Sequence, residues 1–147
     1  MNTMQQSDLK LCRAVVEQGP DALIFADREG TIKLWNARAE ALFGYAAGEA
    51  IGRSLDLIIP ENLRAAHWRG YRQAITLGHV KSGGHALATR AAHKHGSKLY
   101  VELAFGIICD PQQGVLGAVA TGRDITQRYL AERAERAQIA LSHGDSD

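Results

Sequence analysis

The sequence predicts an α+β fold in which five antiparallel strands form one sheet and helices cover one face of it. Two short apolar segments near the N-terminus are joined by a turn sequence and predict a hairpin. An amphipathic segment in the middle of the chain predicts one longer helix, and three strand-like segments separated by turns follow it. Because strands joined by tight turns pair antiparallel, we expect a single sheet, with a cavity between the longer helix and the sheet.

The predicted strands are short apolar or alternating runs bounded by turn residues. They are Ala22–Ala26, Thr31–Trp35, Ala86–Ala92, Leu99–Cys109 and Val115–Arg123. Most of the predicted helices follow a capping residue or precede a glycine. They are a first helix capped by Ser7 and ending at Gly19, Ala37–Phe43 capped by Asn36 and ended by Gly44, short turns within Gly48–Ile59, a helix within Pro60–Gly78, and Gln127–Leu141.

These elements divide the chain into three parts. Residues 1–19 are predicted to be an N-terminal flanking helix, residues 20–126 the main folded domain, and residues 127–147 a C-terminal flanking helix that ends in a disordered tail from residue 142. The final helix has apolar residues at near-heptad spacing, which favours a short coiled coil. These residues are Tyr129 or Leu130, Ala134 or Ala137, and Leu141. We therefore expect a homodimer formed through the flanking helices.

Composition excludes several classes of protein. The net charge is +1 with 46% hydrophobic residues, so no strong field favours nucleic acid or an anionic membrane surface. No apolar run is long enough to span a bilayer, and the charged N-terminal segment does not resemble a signal peptide. Cys12 and Cys109 are far apart in the sequence, as expected for reduced thiols in the cytoplasm. No nucleotide-binding or nucleophile motif is present, so we do not expect an enzyme.

His67 lies on the predicted central helix, and its role there decides between a cofactor-binding protein and one without a cofactor. At 100° per residue its face is largely apolar, with Arg64 as its one charge, and Gln73 lies on the opposite side. Tyr71 and Leu77 share the face of His67, and its flanking residues Ala66, Gly70 and Ala74 are small. Two interpretations are open: His67 is an axial ligand of an iron porphyrin, or it is a buried polar group that bonds a local carbonyl. Gly70 is compatible with both, because a flat macrocycle and close packing of the helix on the sheet would each require a missing side chain.

Four motifs carry a resemblance to a known family. They are D-x-x-G-x-I-x-x-W-N over residues 27–36, F-G-Y over 43–45, I-G-x-S-L over 51–55 and G-R-D-I-T over 122–126. In this combination and order the chain resembles PAS domains of the S-box type from about Ala22 to Thr126. The resemblance implies the PAS fold, in which a five-stranded antiparallel sheet has small helices on one face. It also implies a sensory domain that signals to a separate output protein.

Within that family the chain looks most like the haem-binding PAS domains of oxygen-sensor kinases. Their iron-ligating histidine lies seven residues after the proline of an I-P-E motif, and Pro60 and His67 have that spacing. The resemblance therefore implies b-type haem with His67 bound to iron, and it places Leu87, Leu103 and Phe105 over the iron. Other residues expected around the haem are on or near the His67 helix. They are Gly70 and Tyr71 on its inward face, Trp68 at its edge, and Arg64, Arg69, Arg72 and Lys81 as cations for the propionates.

The resemblance also implies which signal such a haem would detect. The oxygen-sensor kinases have an arginine where this chain has Leu87. An apolar wall without that donor favours nitric oxide, carbon monoxide or redox state over oxygen as the signal, unless Arg90 turns toward the iron.

The sequence also suggests functions other than a haem sensor. Five of the six histidines lie close together in sequence, and His93 and His95 flank one turn. A surface zinc or copper site there lacks the supporting ligand spacing. The N-C-R-F-L-Q motif of flavin-photoadduct PAS domains is absent. A cofactor-free interaction or dimerisation module and a receptor for a small metabolite in the same cavity stay as alternatives.

Overall fold

Residues 2–144 are described by a computed structural model. Their elements follow in this order: α1 Thr3–Gln18, β1 Ala22–Asp27, β2 Ile32–Trp35, α2 Ala37–Phe43, α3 Ala47–Ala50, α4 Arg64–Leu77, β3 Leu87–Ala92, β4 Lys98–Asp110, β5 Gly114–Asp124 and α5 Thr126–Gly144. Two short 3₁₀ turns, Leu55–Ile58 and Glu61–Leu63, precede α4. The strands form one antiparallel sheet in the order β2-β1-β5-β4-β3. The predicted α+β fold is confirmed.

One face of the sheet carries the core. Ile24 on β1 and Val101 and Leu103 on β4 are buried, and they pack with side chains of the helical layer such as Phe43 and Ile58. The alternation of buried and part-buried residues along β1 and the first half of β4 follows the period of two expected for a half-buried strand. The helices between β2 and β3 therefore cover one face of the sheet, as the sequence predicts.

Asn36 caps α2, as predicted, and it also joins three elements. Its Oδ1 accepts from the backbone N–H of Ala39 at 3.0 Å and of Leu23 at 2.9 Å. Its Nδ2 donates to the carbonyls of Val16 and Asp21. The side chain is almost fully buried, and these four bonds satisfy its amide. Asn36 thus fixes the end of α1 and the start of β1 to α2.

Trp68 and Tyr71 attach α4 to the turn between β1 and β2. Trp68 Nε1 donates to Asp56 Oδ1 at 2.8 Å, and its ring covers Gly30, where a Cβ would lie 2.2 Å from the indole. The Tyr71 hydroxyl donates to the carbonyls of Asp27 and Ala26. Burial and the charge of Asp27 raise the pKa of Tyr71 to about 12. The hydroxyl therefore stays a donor at neutral pH and holds α4 in place.

The junction of β5 and α5 is tied to β4. Thr126 Oγ1 accepts from the backbone N–H of Tyr100 at 3.0 Å, and Asp124 Oδ1 accepts from Thr126 N–H at 2.8 Å. The Tyr100 and Tyr129 rings stack with centroids 4.0 Å apart. These contacts explain the closing G-R-D-I-T motif, in which both the aspartate and the threonine bond at the turn.

The structure differs from the prediction mainly at the helix ends. Helix α1 begins at Thr3 rather than after Ser7, because Asn2 and Gln5 form a capping box. Helix α5 continues to Gly144, three residues into the predicted disordered tail, and residues 145–147 of that tail lie outside the described part. Over residues 2–144, no helix is long and apolar enough to span a membrane.

Candidate functional site

A cavity of about 520 Å³ lies between α4 and the sheet, bordered by the loop that follows α4. This volume falls within the range of about 300–1,000 Å³ typical of small-molecule and cofactor sites. Most of its lining is apolar. Its lining includes His67, Gly70, Leu87, Arg90, Leu103 and Phe105. Leu77 and Leu87 also line the cavity and are 51% and 49% exposed, so the cavity opens to solvent beside residues 78–86.

His67 lines this cavity without a hydrogen bond to any described residue, and its Nδ1 is buried. Its ring contacts those of Trp68 and Tyr71, with centroids 4.7 Å and 5.8 Å away. Burial lowers the pKa of His67, and the charge of Asp56 opposes part of that effect. The imidazole is therefore neutral at neutral pH. The local carbonyl partner of the second interpretation is absent from the described residues.

Gly70 borders the cavity one turn after His67. A Cβ built at Gly70 would meet no atom within 4 Å, apart from its own helix backbone. Close packing of α4 on the sheet therefore does not explain the glycine. Gly70 is exposed and borders the cavity, so the space beside it is open.

The sheet side of the cavity is apolar where the resemblance placed the distal wall. Leu87 on β3 is the register partner of Leu103 on β4, and Phe105 follows on the same face. Arg90 also lines the cavity, and its Nε is buried without a hydrogen-bond partner. The structure thus brings together His67, Gly70, Tyr71 and the three predicted wall residues.

Four of the predicted residues lie outside the cavity lining: Arg64, Trp68, Arg69 and Arg72. Arg64 Nε donates to the Ile59 carbonyl at 3.1 Å, and its guanidinium lies 3.9 Å from Asp56. Trp68 and Arg72 border a smaller polar cleft on another side of α4, together with Asp56. The angular position of Arg64 on α4 predicted that its side chain would line the cavity. Its long side chain instead turns back to the carbonyls of Ile59 and Asp56, which precede the helix.

Other cations and polar groups meet the cavity. Lys81 lines it, as predicted, whereas Arg69 is exposed on α4 outside the lining. The cavity is also lined by His79 and Gln73, which are not among the predicted residues. The helical spacing placed Gln73 on the opposite side. His79 follows the end of α4, where periodicity no longer applies, so its place in the lining had no sequence signal.

The remaining histidines and the cysteines lie elsewhere. His93 Nδ1 accepts from the backbone N–H of His95 at 3.1 Å, and the His93 ring packs against Gly44. No cluster of three or more metal-binding side chains occurs among residues 2–144. Cys12 and Cys109 are free and exposed, and neither lines the cavity. The cavity therefore lacks the thiol that flavin photoadduct chemistry requires.

Comparison with known proteins agrees with this architecture. A sequence model described as the PAS fold matches residues 16–130. The chain belongs to the PAS family. As a PAS domain it is also similar in structure to the PAS domain of a protein from Colwellia psychrerythraea. That domain is 25% identical with a TM-score of 0.70, over 82% of this chain and 98% of the other. An RNA-binding light-oxygen-voltage receptor shares the fold at 21% identity and a TM-score of 0.70, over 99% of this chain and 40% of the receptor.

Two curated relatives of this PAS domain are sensors by name. The oxygen sensor protein DosP of Escherichia coli is 27% identical over 88% of this chain and 16% of its own length. The sensor protein FixL of Bradyrhizobium diazoefficiens is 40% identical over 37% of this chain and 11% of its own. The chain spans less than a fifth of either relative. A sensory PAS domain is the role that these similarities support.

Proposed function

We propose that this PAS domain binds b-type haem through His67 and senses a diatomic gas or a redox change. The observation that carries the proposal is the unpartnered His67 imidazole on a large apolar cavity. A buried polar group without a partner calls for an explanation, and a neutral imidazole is a common iron ligand. The free space beside Gly70 supports the same conclusion.

This chain's residues would have distinct roles around the group. His67 would bind the iron, while Lys81 and His79 lie in the lining near the open side and would hold the propionates. Leu103 and Phe105 would exclude water from the opposite wall. Bound haem would supply an iron that takes a gas ligand or changes oxidation state. The residues of this chain would bind and orient the haem, and we assign the chain no reaction of its own.

The flanking helices are the parts suited to pass the signal on. Among the described residues, no side chain of α1 or α5 is buried, and both helices expose large apolar residues. They are Met4, Leu9, Leu11, Val15, Leu130, Ile139 and Leu141. In proteins most of the stability of a helix comes from packing of its apolar face, which favours pairing with a second copy. We propose a homodimer through these helices that passes the signal to an output partner.

A hemin titration of the purified chain tests the haem proposal. We expect a Soret band that saturates at one hemin per chain, and a ferrous carbon monoxide complex with a sharp, shifted band. A flavin-binding domain would instead show a flavin spectrum. A metabolite receptor would release an organic ligand, which mass spectrometry of an extract of the native protein would identify. If hemin gives no saturable band, the haem proposal is wrong and a cofactor-free interaction module becomes the better explanation.

Hemin affinity should depend on pH through His67. Burial lowers the pKa of His67 in the folded chain below its ordinary value of 6.5. Above pH 6.5 the ring is neutral in the folded and unfolded states, so affinity and stability should not vary through this group. Below 6.5 the unfolded state takes up the proton first, so stability should fall. Hemin affinity should fall once the pH drops below the lowered pKa of the folded chain, because the proton then competes with iron for the ring nitrogen.

Titrations of Soret absorbance and of thermal midpoint from pH 8 to 5 measure this dependence. A His67→Gln variant lacks the titrating ring. Below pH 6.5 its thermal midpoint should therefore fall less steeply with decreasing pH than that of the wild type. An equal slope in the wild type and in this variant would assign the pH dependence to another group.

Replacing Leu87 with arginine should raise oxygen affinity. Leu87 lines the cavity from β3 and has no polar atom to donate. An arginine there would supply donors to a gas ligand that carries partial negative charge when bound. We expect oxygen affinity to rise about tenfold or more, in keeping with a hydrogen bond to a charged group of about 1.5–3 kcal/mol, and carbon monoxide affinity to change little.

Oxygen and carbon monoxide equilibria of the ferrous protein measure both effects. Ala88→Arg is the matched control, because strand alternation directs residue 88 away from the face shared by Leu87 and Leu103. An unchanged oxygen affinity in Leu87→Arg would show that Leu87 does not face the gas ligand.

A further inference from the structure

A second, polar cleft of about 300 Å³ lies where α4 meets the turn between β1 and β2. Its lining has two guanidinium groups and two carboxylates. Arg28 and Glu29 come from the turn, Asp56 comes from the first 3₁₀ turn, and Arg72 comes from α4. The haem proposal uses only the apolar cavity, so it gives this cleft no role.

The aromatic part of the cleft is held in place by hydrogen bonds. Trp68 and Tyr71 both line the cleft, and their rings meet edge to face with centroids 5.5 Å apart. Trp68 Nε1 donates to Asp56 Oδ1, and the Tyr71 hydroxyl donates to carbonyls of β1. Because these side chains are already ordered, a ligand in the cleft does not have to immobilise them.

The cleft contains one cation and one carboxylate that are free of protein partners. Within residues 2–144, the Arg72 guanidinium makes no hydrogen bond or ion pair, and neither does the Glu29 carboxylate. They line the same cleft and yet do not pair with each other. Asp56 differs, since it accepts from Trp68 and lies 3.9 Å from Arg64 Nε. Arg28 has only a long bond of 3.4 Å to the Val115 carbonyl.

This arrangement of charge selects a class of ligand. Two guanidinium groups and two carboxylates balance, so the cleft has no net charge with which to hold a simple ion. A molecule that carries both charges meets a partner for each. An α-amino acid has a carboxylate that can accept two parallel bonds from a guanidinium and an ammonium group with three donors. A small amino acid is also compatible with the size of the cleft.

We propose that this cleft is a second ligand site and that it binds a zwitterion of the α-amino acid class. The ligand carboxylate accepts from Arg72, and its ammonium group donates to Glu29. Such a ligand joins α4 to the turn between β1 and β2. The site does not depend on the proposed haem function, because Arg28, Glu29 and Arg72 do not line the apolar cavity.

Tryptophan fluorescence of the full chain without hemin tests the proposal. Trp68 lines the cleft, whereas the second tryptophan, Trp35, is buried and donates to the Tyr45 carbonyl. L-Alanine is the zwitterionic probe. Propionate is the same molecule without the ammonium group, and ethylamine is the same molecule without the carboxylate. We expect a saturable change with alanine, about tenfold weaker binding of either analogue, and a thermal midpoint that rises with alanine concentration.

Two variants test the two ends of the ligand separately. Arg72→Ala should weaken alanine binding about tenfold and should not weaken ethylamine binding, whereas Arg72→Lys should recover part of the loss. Glu29→Gln should weaken alanine binding in the same way and should not weaken propionate binding. Arg69→Ala is the matched control, because Arg69 is exposed on α4 and does not line the cleft. Its alanine affinity should stay within about twofold of the wild type.

Several results would overturn this assignment. They are no saturable change with alanine, propionate or ethylamine binding as tightly as alanine does, or an equal loss in Arg69→Ala and Arg72→Ala. The His67→Ala variant separates this site from the haem site. It should bind alanine as the wild type does, since His67 does not line the cleft. Absence of hemin binding would leave the amino acid site standing, and absence of alanine binding would leave the haem proposal standing.

Discussion

Replacing His67 with alanine is expected to abolish the saturable Soret band and to weaken hemin binding by about a hundredfold or more. The imidazole is the group that would form a bond to the iron, whereas the remaining contacts of a porphyrin in this cavity are apolar and nondirectional. The replacement also removes a buried nitrogen that has no partner. The apo form of the variant should therefore be as stable as the wild type or slightly more so.

A chemical rescue makes this test specific. In His67→Gly the missing side chain leaves a space, and added imidazole should restore the ferric Soret spectrum in a concentration-dependent way. His85→Ala is the matched control, because His85 is exposed on the loop after α4 and does not line the cavity. Undiminished hemin binding by His67→Ala would show that another residue binds the iron and would refute the proposed site.

Substitution of Gly122 by alanine should destabilise the fold by about 3 kcal/mol or more, the upper part of the range for overpacking. Gly122 is a buried residue of β5 that pairs with Ala22 on β1 and with Leu103 on β4. A Cβ there would lie 1.9 Å from the Glu102 carbonyl oxygen. The obstacle is backbone in the middle of the sheet, so no side-chain rotation can relieve it.

Gly106→Ala is the matched control, since Gly106 lies on the neighbouring strand β4. A Cβ at that position would meet its nearest atom, Val119 Cγ1, at 3.5 Å, an ordinary van der Waals contact. Urea unfolding followed by circular dichroism should show a large loss of stability for Gly122→Ala only. Similar urea midpoints for the two variants would show that the neighbouring strands move apart to accommodate a Cβ at residue 122 at little cost in stability.

Local sequence signals predicted the sheet and most of the helices. Asn36 and Gly44 have side-chain and backbone preferences that act within a few residues, and both cap α2 as predicted. The role of Asn36 in holding α1 and β1 depends on residues up to 20 positions away. Such contacts leave no periodic pattern in the sequence. Asn2 was missed as the cap of α1, because Ser7 matches the same preference nearer the apolar residues.

Helical spacing predicted the cavity side of α4 only in part. It placed Gly70, Tyr71 and Leu77 beside His67, and all of them line the cavity. It also placed Arg64 there and excluded Gln73, and both assignments differ from the structure. A helical projection gives the direction of a Cβ and not the course of a long side chain, which local carbonyls or open space then determine. The unpaired state of His67 is likewise a tertiary property that no spacing reveals.

The place of β1 in the sheet has a consequence for biosynthesis. This strand is made early, yet it lies between β2 and β5, and its pairs with β5 run from Ala22 with Gly122 to Asp27 with Gly117. On the ribosome, β1 and β2 can form only a marginal hairpin until almost the whole domain has been translated. Closure of the sheet is therefore a late step of high contact order. A cofactor that joins α4 to the sheet would meet its completed cavity only after β5 has been inserted.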